Sequence, residues 1–287
     1  MSIIFTYIYK FINKLYEFFA YQICISYNFK KTYKTKMFDL IWLSIIQGVT
    51  EFLPISSSAH LVLYSHFFNS NYDNLSLDIS LHLGSLIAII FYFRKEIVNF
   101  ISNIKLLFFI TLGSLPTFIA GFIMIKFNLI DNLRNIEIIG WTTLIFGIIL
   151  YLSDLRAENK NIDNDLSLRS ALFIGFFQIL SLIPGVSRSG IIISASRILN
   201  FKRTEAARLS FLLSIPTLGA VSIYNVNKLI LTNNLSITID NYSSIFLSMI
   251  FSFFSIKYLI KYLRRFSLFF FAVYRVILGI IIIAYVY

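Results

Sequence analysis

The segment QGVTEFLPISSSAH, residues 47–60, puts a carboxylate, a proline, three consecutive hydroxyls and an imidazole inside an otherwise apolar run. The chain around it is 57% hydrophobic and only 14% charged over 287 residues, with a mean hydropathy of +0.77. That composition describes a polytopic membrane protein and not a soluble core. An ionisable side chain at membrane depth costs at least about 2.5–3.5 kcal/mol on insertion scales, so Glu51 and His60 are expected to face a protein-lined or watery cavity. Pro54 lacks a backbone donor and breaks the helix. It leaves Ser56, Ser57 and Ser58 at the start of the next half-helix, where free N–H groups and the helix dipole favour an anion. The bland alternative is one membrane helix kinked at Pro54, with its hydroxyls bonded back to its own carbonyls.

A second polar island repeats the pattern. Gln178 precedes IPGVSRSG at 183–190, again a broken segment with hydroxyls just after a proline. Arg188 adds a planar, permanently charged fork suited to phosphate oxygens. A snorkelling arginine fits poorly, because Arg188 sits in a Pro/Gly/Ser break with apolar stretches on both sides.

The remaining apolar runs predict spans at 79–93, 106–125, 136–153, 209–227, 241–256 and 266–287, with broken segments at about 38–69 and 170–200. If each broken segment re-enters and leaves on one side, about six transmembrane helices remain, three in each half. The expected fold is an all-α integral membrane protein with two broken re-entrant hairpins in an inverted-topology repeat, its halves at about 37–153 and 170–287. The loops at 94–105, 154–169, 197–208 and 257–265 hold fourteen Lys and Arg residues against three in the loops at 126–135 and 228–240. The first group is therefore expected in the cytoplasm, so that the first hairpin enters from outside and the second from inside. Of the four prolines, Pro54 and Pro184 sit in the breaks, while Pro116 and Pro216 sit in later spans. Corresponding interrupted segments point to a shared site near the pseudo-two-fold axis.

Residues 1–36 mix apolar residues irregularly with charge. They read either as an amphipathic interfacial helix or as an N-terminal extension outside the mature protein, with Met37 as the true start and 37–287 as a single membrane-embedded domain. The cluster Lys30, Lys31, Lys34 and Lys36 would otherwise violate the positive-inside tendency. The net charge of +11 is spread among short loops and reads as a topology determinant, with no nucleic-acid partner implied. The one cysteine, Cys24, excludes an intrachain disulfide, and no Cys/His spacing resembles a zinc site.

The stretches QGVTEFLPISSSAHL, LHLGSLIAIIFYFRKEI, PGVSRSG and LSFLLSIPT closely resemble the undecaprenyl-diphosphate phosphatase family, also called bacitracin resistance proteins, from about residue 40 onward. The resemblance implies a multi-pass enzyme of the bacterial inner membrane that hydrolyses undecaprenyl diphosphate to undecaprenyl phosphate and phosphate, with its active site toward the periplasm. That activity recycles the lipid carrier for peptidoglycan and confers bacitracin resistance. The family's acidic motif falls on Gln47 and Glu51, its serine pair on Ser56 and Ser57, its histidine on His60 and its phosphate-binding arginine on Arg188. Many relatives carry Glu where this chain has Gln47, and Ser58-Ala59 replaces the usual Thr-Gly or Ser-Gly. The resemblance also implies dependence on a divalent cation such as Mg or Ca.

Physical chemistry suggests compatible roles. A diphosphate becomes a usable electrophile only when fixed positive charge and N–H donors neutralise its oxygens, which Arg188 and the two half-helix N-termini can supply. Gln47, Ser56, Ser58, Gly185, Ser187 and Ser189 are the expected substrate-binding residues. Ser57 is the candidate nucleophile, with His60 on the same helical face as base or leaving-group acid. Water activated by His60 or Glu51 is the rival. Glu51 is expected either to hold the cation or to orient His60. His82 is assigned to packing or hydrogen bonding, the glycines Gly84, Gly113, Gly121 and Gly219 to close helix approach, and Asp154, Asp163 and Asp165 to an ordinary hydrophilic loop. Broken inverted repeats also build transporters, so a carrier or flippase of a phosphorylated lipid stands as the alternative. A homodimer is left open.

Overall fold

Proline-broken, highly apolar sequence gives a bundle of long helices interrupted at two places. The computed structural model describes residues 34–68, 75–99, 103–129, 133–231 and 238–287, with side chains from Met37 onward. In chain order these form α1 (Lys34–Thr50), α2 (Ser57–Phe68), α3 (Leu75–Tyr92), α4 (Arg94–Asn99), α5 (Ile104–Lys126), α6 (Ile136–Asp154), α7 (Ile162–Asp165), α8 (Leu168–Ile179), α9 (Arg188–Ile198), α10 (Arg203–Leu231), α11 (Ile239–Leu263) and α12 (Phe269–Val286). Among the described residues the only β pairing is an isolated bridge between Lys160 and Phe201. Leu40–Tyr287 form one compact unit. The extension expected at 1–36 lies outside the described residues, apart from the helical backbone at 34–36.

Six helices, α3, α5, α6, α10, α11 and α12, are long and apolar enough to cross a membrane. They fall on the six predicted spans; α3, α5, α10 and α11 reach further at one or both ends, α6 agrees to one residue, and α12 is shorter at both ends than the predicted 266–287. The two remaining apolar pairs, α1–α2 and α8–α9, are the re-entrant hairpins. Three spans follow each of them, and an odd number of crossings puts the two hairpins on opposite faces. The inverted repeat therefore follows from helix order. Pro116 lies in α5, the second span of its half, and Pro216 in α10, the first span of the other. Those two prolines are not repeat partners; only the hairpin breaks correspond.

Helix association in lipid relies on close packing and internal hydrogen bonds, since the hydrophobic effect cannot distinguish lipid from leucine. The α3–α11 contact shows both. Gly84 lies so close to α11 that a Cβ there would collide with the Ile245 carbonyl and with Ser248. Along the same seam Ser248 donates to the Leu81 carbonyl (2.8 Å), Ser252 to Ser85 Oγ (2.9 Å), and Asn241 to Ser80 Oγ (2.9 Å). On the other side of the bundle Gly113 of α5 meets Gly175 of α8 backbone to backbone. Gly121 and Gly219, grouped with these by sequence, have no such role. Only Leu182, at 3.9 Å, would touch a Cβ at Gly121, and nothing within 4 Å would meet one at Gly219.

The expectation for Asp154 needs correction. This side chain is buried and forms the hub of a polar cluster at the C-terminal end of α6. It accepts from Arg203 Nε (2.7 Å), Arg197 Nε (3.3 Å) and the Leu268 backbone N–H (2.9 Å). Arg197 is fully buried and spends its other donors on the carbonyls of Asp154, Arg156, Ala157 and Phe201. The cluster pins the end of the second hairpin to α6 and to the start of α12. Asp163 and Asp165 are the surface residues expected, with Asp163 paired to Arg208 (3.1 Å). Removing one partner of a buried charge pair costs about 3–5 kcal/mol. Asp154→Ala is accordingly expected to lower the thermal midpoint of detergent-purified protein by several degrees while Asp165→Ala leaves it unchanged, as read by a scanning fluorescence melt.

Candidate active site

Both hairpin turns are built by the same local rule. α1 ends at Thr50, four residues before Pro54, and the turn at 51–55 hands over to α2. α8 ends in a short 3₁₀ turn at Leu180–Leu182 just before Pro184. Ser56 and Ser187 then take the left-handed backbone conformation, with φ of 73° and 71°. Each hydroxyl caps its half-helix by accepting an N–H three residues on, that of Ala59 (3.4 Å) or Gly190 (3.1 Å). Each also bonds the serine two residues on, Ser56 to Ser58 and Ser187 to Ser189, both at 3.2 Å. Non-glycine residues held at positive φ cost on the order of 1–3 kcal/mol and cluster where function needs a fixed backbone.

The two turns meet inside the bundle. Ser189 Oγ donates to the Leu53 carbonyl (2.8 Å), joining the second turn to the first. Arg275 of α12 is fully buried and joins them again. Its guanidinium donates to Gly185 O (2.9 Å), Pro54 O (3.3 Å) and Thr143 O (3.5 Å). Gly185 has a φ of 90° and sits against the Ile139 backbone and the hydroxyl of Thr142, which in turn donates to Pro184 O (2.7 Å). No side chain fits there. Phe52, in the first turn, anchors it to the core by packing edge-on against Phe211 at 5.6 Å.

These constraints bring Glu51 and Arg188 into a direct ion pair across the two hairpins. The second carboxylate oxygen of Glu51 accepts from Ser57 Oγ at 2.6 Å and from Gln47 Nε2 at 3.0 Å. The other arm of Arg188 donates to Thr217 Oγ1 at 2.9 Å, on α10 one residue beyond Pro216. Glu51 is buried, while Arg188 keeps 18% of its side chain exposed, so the cluster opens toward its cationic side. Fixed positive charge, two half-helix N-termini and a hydroxyl held on a carboxylate therefore meet at one junction. That set suits binding and attacking a phosphoryl group.

His60 stands differently from its expected place beside Ser57. Its Nδ1 bonds the Ser56 carbonyl (2.6 Å) and its Nε2 the hydroxyl of Tyr274 (2.6 Å), so both ring nitrogens are engaged. The hydrogen bond of Ser57 goes to Glu51. The reason is geometric: the left-handed turn at Ser56 points its carbonyl along α2 at the imidazole. His82 on α3 bonds the carbonyl of Asp78 through Nδ1 (2.9 Å) and lies within electrostatic reach of Glu51.

Among the described residues no three His, Cys, Asp or Glu side chains converge as a ligand cage. Gln47 Oε1, however, is a buried acceptor without a hydrogen-bond partner, next to the Glu51 carboxylate. One carboxylate and one amide oxygen fit a hard cation that keeps most of its waters and shares phosphate oxygens.

Sequence reasoning missed Arg275, Tyr274 and Thr217. Arg275 carried a signal, because it interrupts the apolar run FFFAVYRVILG and an arginine at that depth is a site residue by default. Thr217 and Tyr274 carried none beyond ordinary membrane-helix composition. Arg275→Met should leave the carbonyls of Pro54 and Gly185 unpaired and let the two turns part. Turnover is expected to fall at least about tenfold with a lower melting midpoint, since each buried acceptor left unmade costs about 1–3 kcal/mol; unchanged turnover and midpoint would remove Arg275 from the site's support.

The family model described as "Bacitracin resistance protein BacA" matches residues 40–281. The chain is 45% identical over 254 residues to a protein of Pelagibacter ubique named undecaprenyl-diphosphatase, covering 88% of this chain and 99% of the relative. Proteins of the same name from Jannaschia sp. and Elusimicrobium minutum are 35% and 37% identical, over 88% and 85% of this chain and 99% and 96% of theirs.

Proposed function

The chain belongs to the bacitracin resistance protein BacA family, and on that premise we propose that it hydrolyses undecaprenyl diphosphate to undecaprenyl phosphate and inorganic phosphate. The observation that carries the reading is the shared cluster of Glu51, Ser57 and Arg188 at the junction of two half-helix N-termini. A site made only to clamp an anion has no use for a serine hydroxyl aimed at a buried carboxylate.

In the resting site Arg188 neutralises Glu51. The terminal phosphoryl group of the substrate competes for that guanidinium, and with it seated the oxygens lie against Arg188 and the N–H groups at the starts of α2 and α9, with Ser56, Ser58, Ser187 and Ser189 fixing the two turns. Release from Arg188 makes Glu51 a better base for the proton it already shares with Ser57. Ser57 Oγ then attacks phosphorus as its proton passes to Glu51, and the bond to the bridging oxygen breaks as Glu51 hands that proton to the departing undecaprenyl phosphate and is again a carboxylate. Water, deprotonated by Glu51, attacks the phosphoserine and releases phosphate, returning the proton to Ser57. This assigns the base to Glu51 in place of His60, on the strength of the 2.6 Å contact. Gln47 Oε1 and Glu51 would hold a divalent cation, which when bound supplies further positive charge to the phosphate oxygens.

The asymmetry of loop charge supports a site opening to the periplasmic side of the bacterial inner membrane, where spent lipid carrier is regenerated for cell-wall synthesis.

The deciding experiment is phosphate release by the detergent-purified protein, where no compartments exist. The wild type is expected to release phosphate from undecaprenyl diphosphate; a carrier or flippase would release none. Arg188→Ala, Ser57→Ala and Glu51→Gln should each lose about a hundredfold or more in turnover, in line with removal of one oxyanion donor or one acid–base group. Full activity in Ser57→Ala would transfer the attack to water. Chelation of divalent cations is expected to lower the wild-type rate and to be reversed by adding Mg²⁺ or Ca²⁺; a rate indifferent to chelator would discard the cation.

A further inference from the structure

His60 has one nitrogen available for proton chemistry, and that nitrogen is occupied. Nδ1 faces the Ser56 carbonyl at 2.6 Å, and a carbonyl only accepts, so Nδ1 carries the hydrogen. Nε2 is then the lone-pair nitrogen of the neutral ring, and the Tyr274 hydroxyl, 2.6 Å away, donates to it. The two rings are also stacked, with centroids 5.7 Å apart and planes 8° from parallel. Stacking at that spacing fixes where the imidazole lies; the hydroxyl fixes which way Nε2 points. Tyr274 keeps 37% of its surface exposed, so this contact lies at the open rim of the bundle and not in its core.

Neighbouring residues give the pair its meaning. Arg275, the next residue of α12, ties down the carbonyls of Pro54 and Gly185. Adjacent positions on one helix therefore hold the first hairpin at two points, one through backbone and one through the imidazole. The Ser56 carbonyl that sets the tautomer of His60 belongs to the same strained residue that caps α2 and precedes Ser57. Whatever turns the His60 ring acts on the peptide unit leading to the nucleophile.

We propose that Tyr274 is a positioning residue for the reaction: it stacks on His60 and holds Nε2 as an acceptor, which keeps the Ser56–Ser57 turn and the imidazole in the arrangement that receives the lipid diphosphate. The inference rests on the phosphatase reading of the Glu51–Ser57–Arg188 cluster. It adds a second assignment to α12, beside the buried Arg275.

Tyr274→Phe keeps the stacked ring and deletes the hydroxyl. It is expected to lower kcat about tenfold with KM changed less than twofold, the size set by loss of one hydrogen bond. In a His60→Ala background the same change should have no further effect, because its only route of action is gone. Equal losses in both backgrounds, or no loss in the first, would overturn the proposal. A second readout does not depend on residual activity. The chain has three histidines, so ¹⁵N-histidine labelling with single His→Gln variants assigns each ring. The Nε2 resonance of His60 should move toward that of an unbonded acceptor nitrogen in Tyr274→Phe, and an unmoved resonance would equally overturn it. Wild-type protein that releases no phosphate would instead sink the phosphatase reading, whatever the spectrum shows.

Discussion

Buried charge is the constraint that shapes this protein. In hydrocarbon every polar group must find its partner within the protein, and an isolated ion is prohibitively costly. Yet Glu51, Arg197 and Arg275 are all buried in a bundle whose outer surface is apolar. Each is satisfied differently. Glu51 is matched by a guanidinium, a hydroxyl and an amide; Arg197 by a carboxylate and carbonyls; Arg275 by three carbonyls alone. Carbonyls become available in such numbers only where helices are broken. The two hairpin turns thus supply the acceptors that make Arg275 tolerable, and Arg275 in return holds the turns together.

The inverted repeat is symmetric in backbone and asymmetric in chemistry. Gln47 and Gln178, Ser56 and Ser187, and Ser58 and Ser189 are related by one sequence offset, and the capping bonds of the two serine pairs match. The same offset pairs Ser57 with Arg188 and Glu51 with Leu182. One turn therefore carries the hydroxyl and the carboxylate while the other carries the cation. The amide of Gln178 shows the consequence: with leucine where its twin finds Glu51, neither of its polar atoms has a partner among the described residues. The two turns share a frame, and the differences at these positions give it a hydroxyl, a carboxylate and a cation.

Much of this could be read from the residues, for reasons that differ by feature. The spans follow from hydropathy alone, and the hairpins from prolines set among hydroxyls. The meeting of Glu51 and Arg188 was inferable because neither could stay unpaired in lipid. What escaped was pairing whose partners are backbone atoms. Nothing in the sequence marks the Ser56 carbonyl as the acceptor for His60, so spacing on a helix placed that ring beside Ser57. Asp154 escaped for a related reason: it sits in a run of polar residues that looks like loop, and its burial depends on Arg197 arriving from another element.

The ion pair between Glu51 and Arg188 also explains how a site so rich in charge can rest without substrate. Left apart, a buried carboxylate and a partly buried guanidinium would each pay desolvation; paired, they repay much of it. A diphosphate offers Arg188 more negative charge and more acceptor oxygens than one carboxylate does, so binding is an exchange of partners in which the cation is never bare. The exchange leaves Glu51 with Ser57 and Gln47 as neighbours, and its proton affinity rises when the reacting phosphoryl group is in place. Activation of the hydroxyl is thereby tied to occupancy, and an empty site keeps its base quenched.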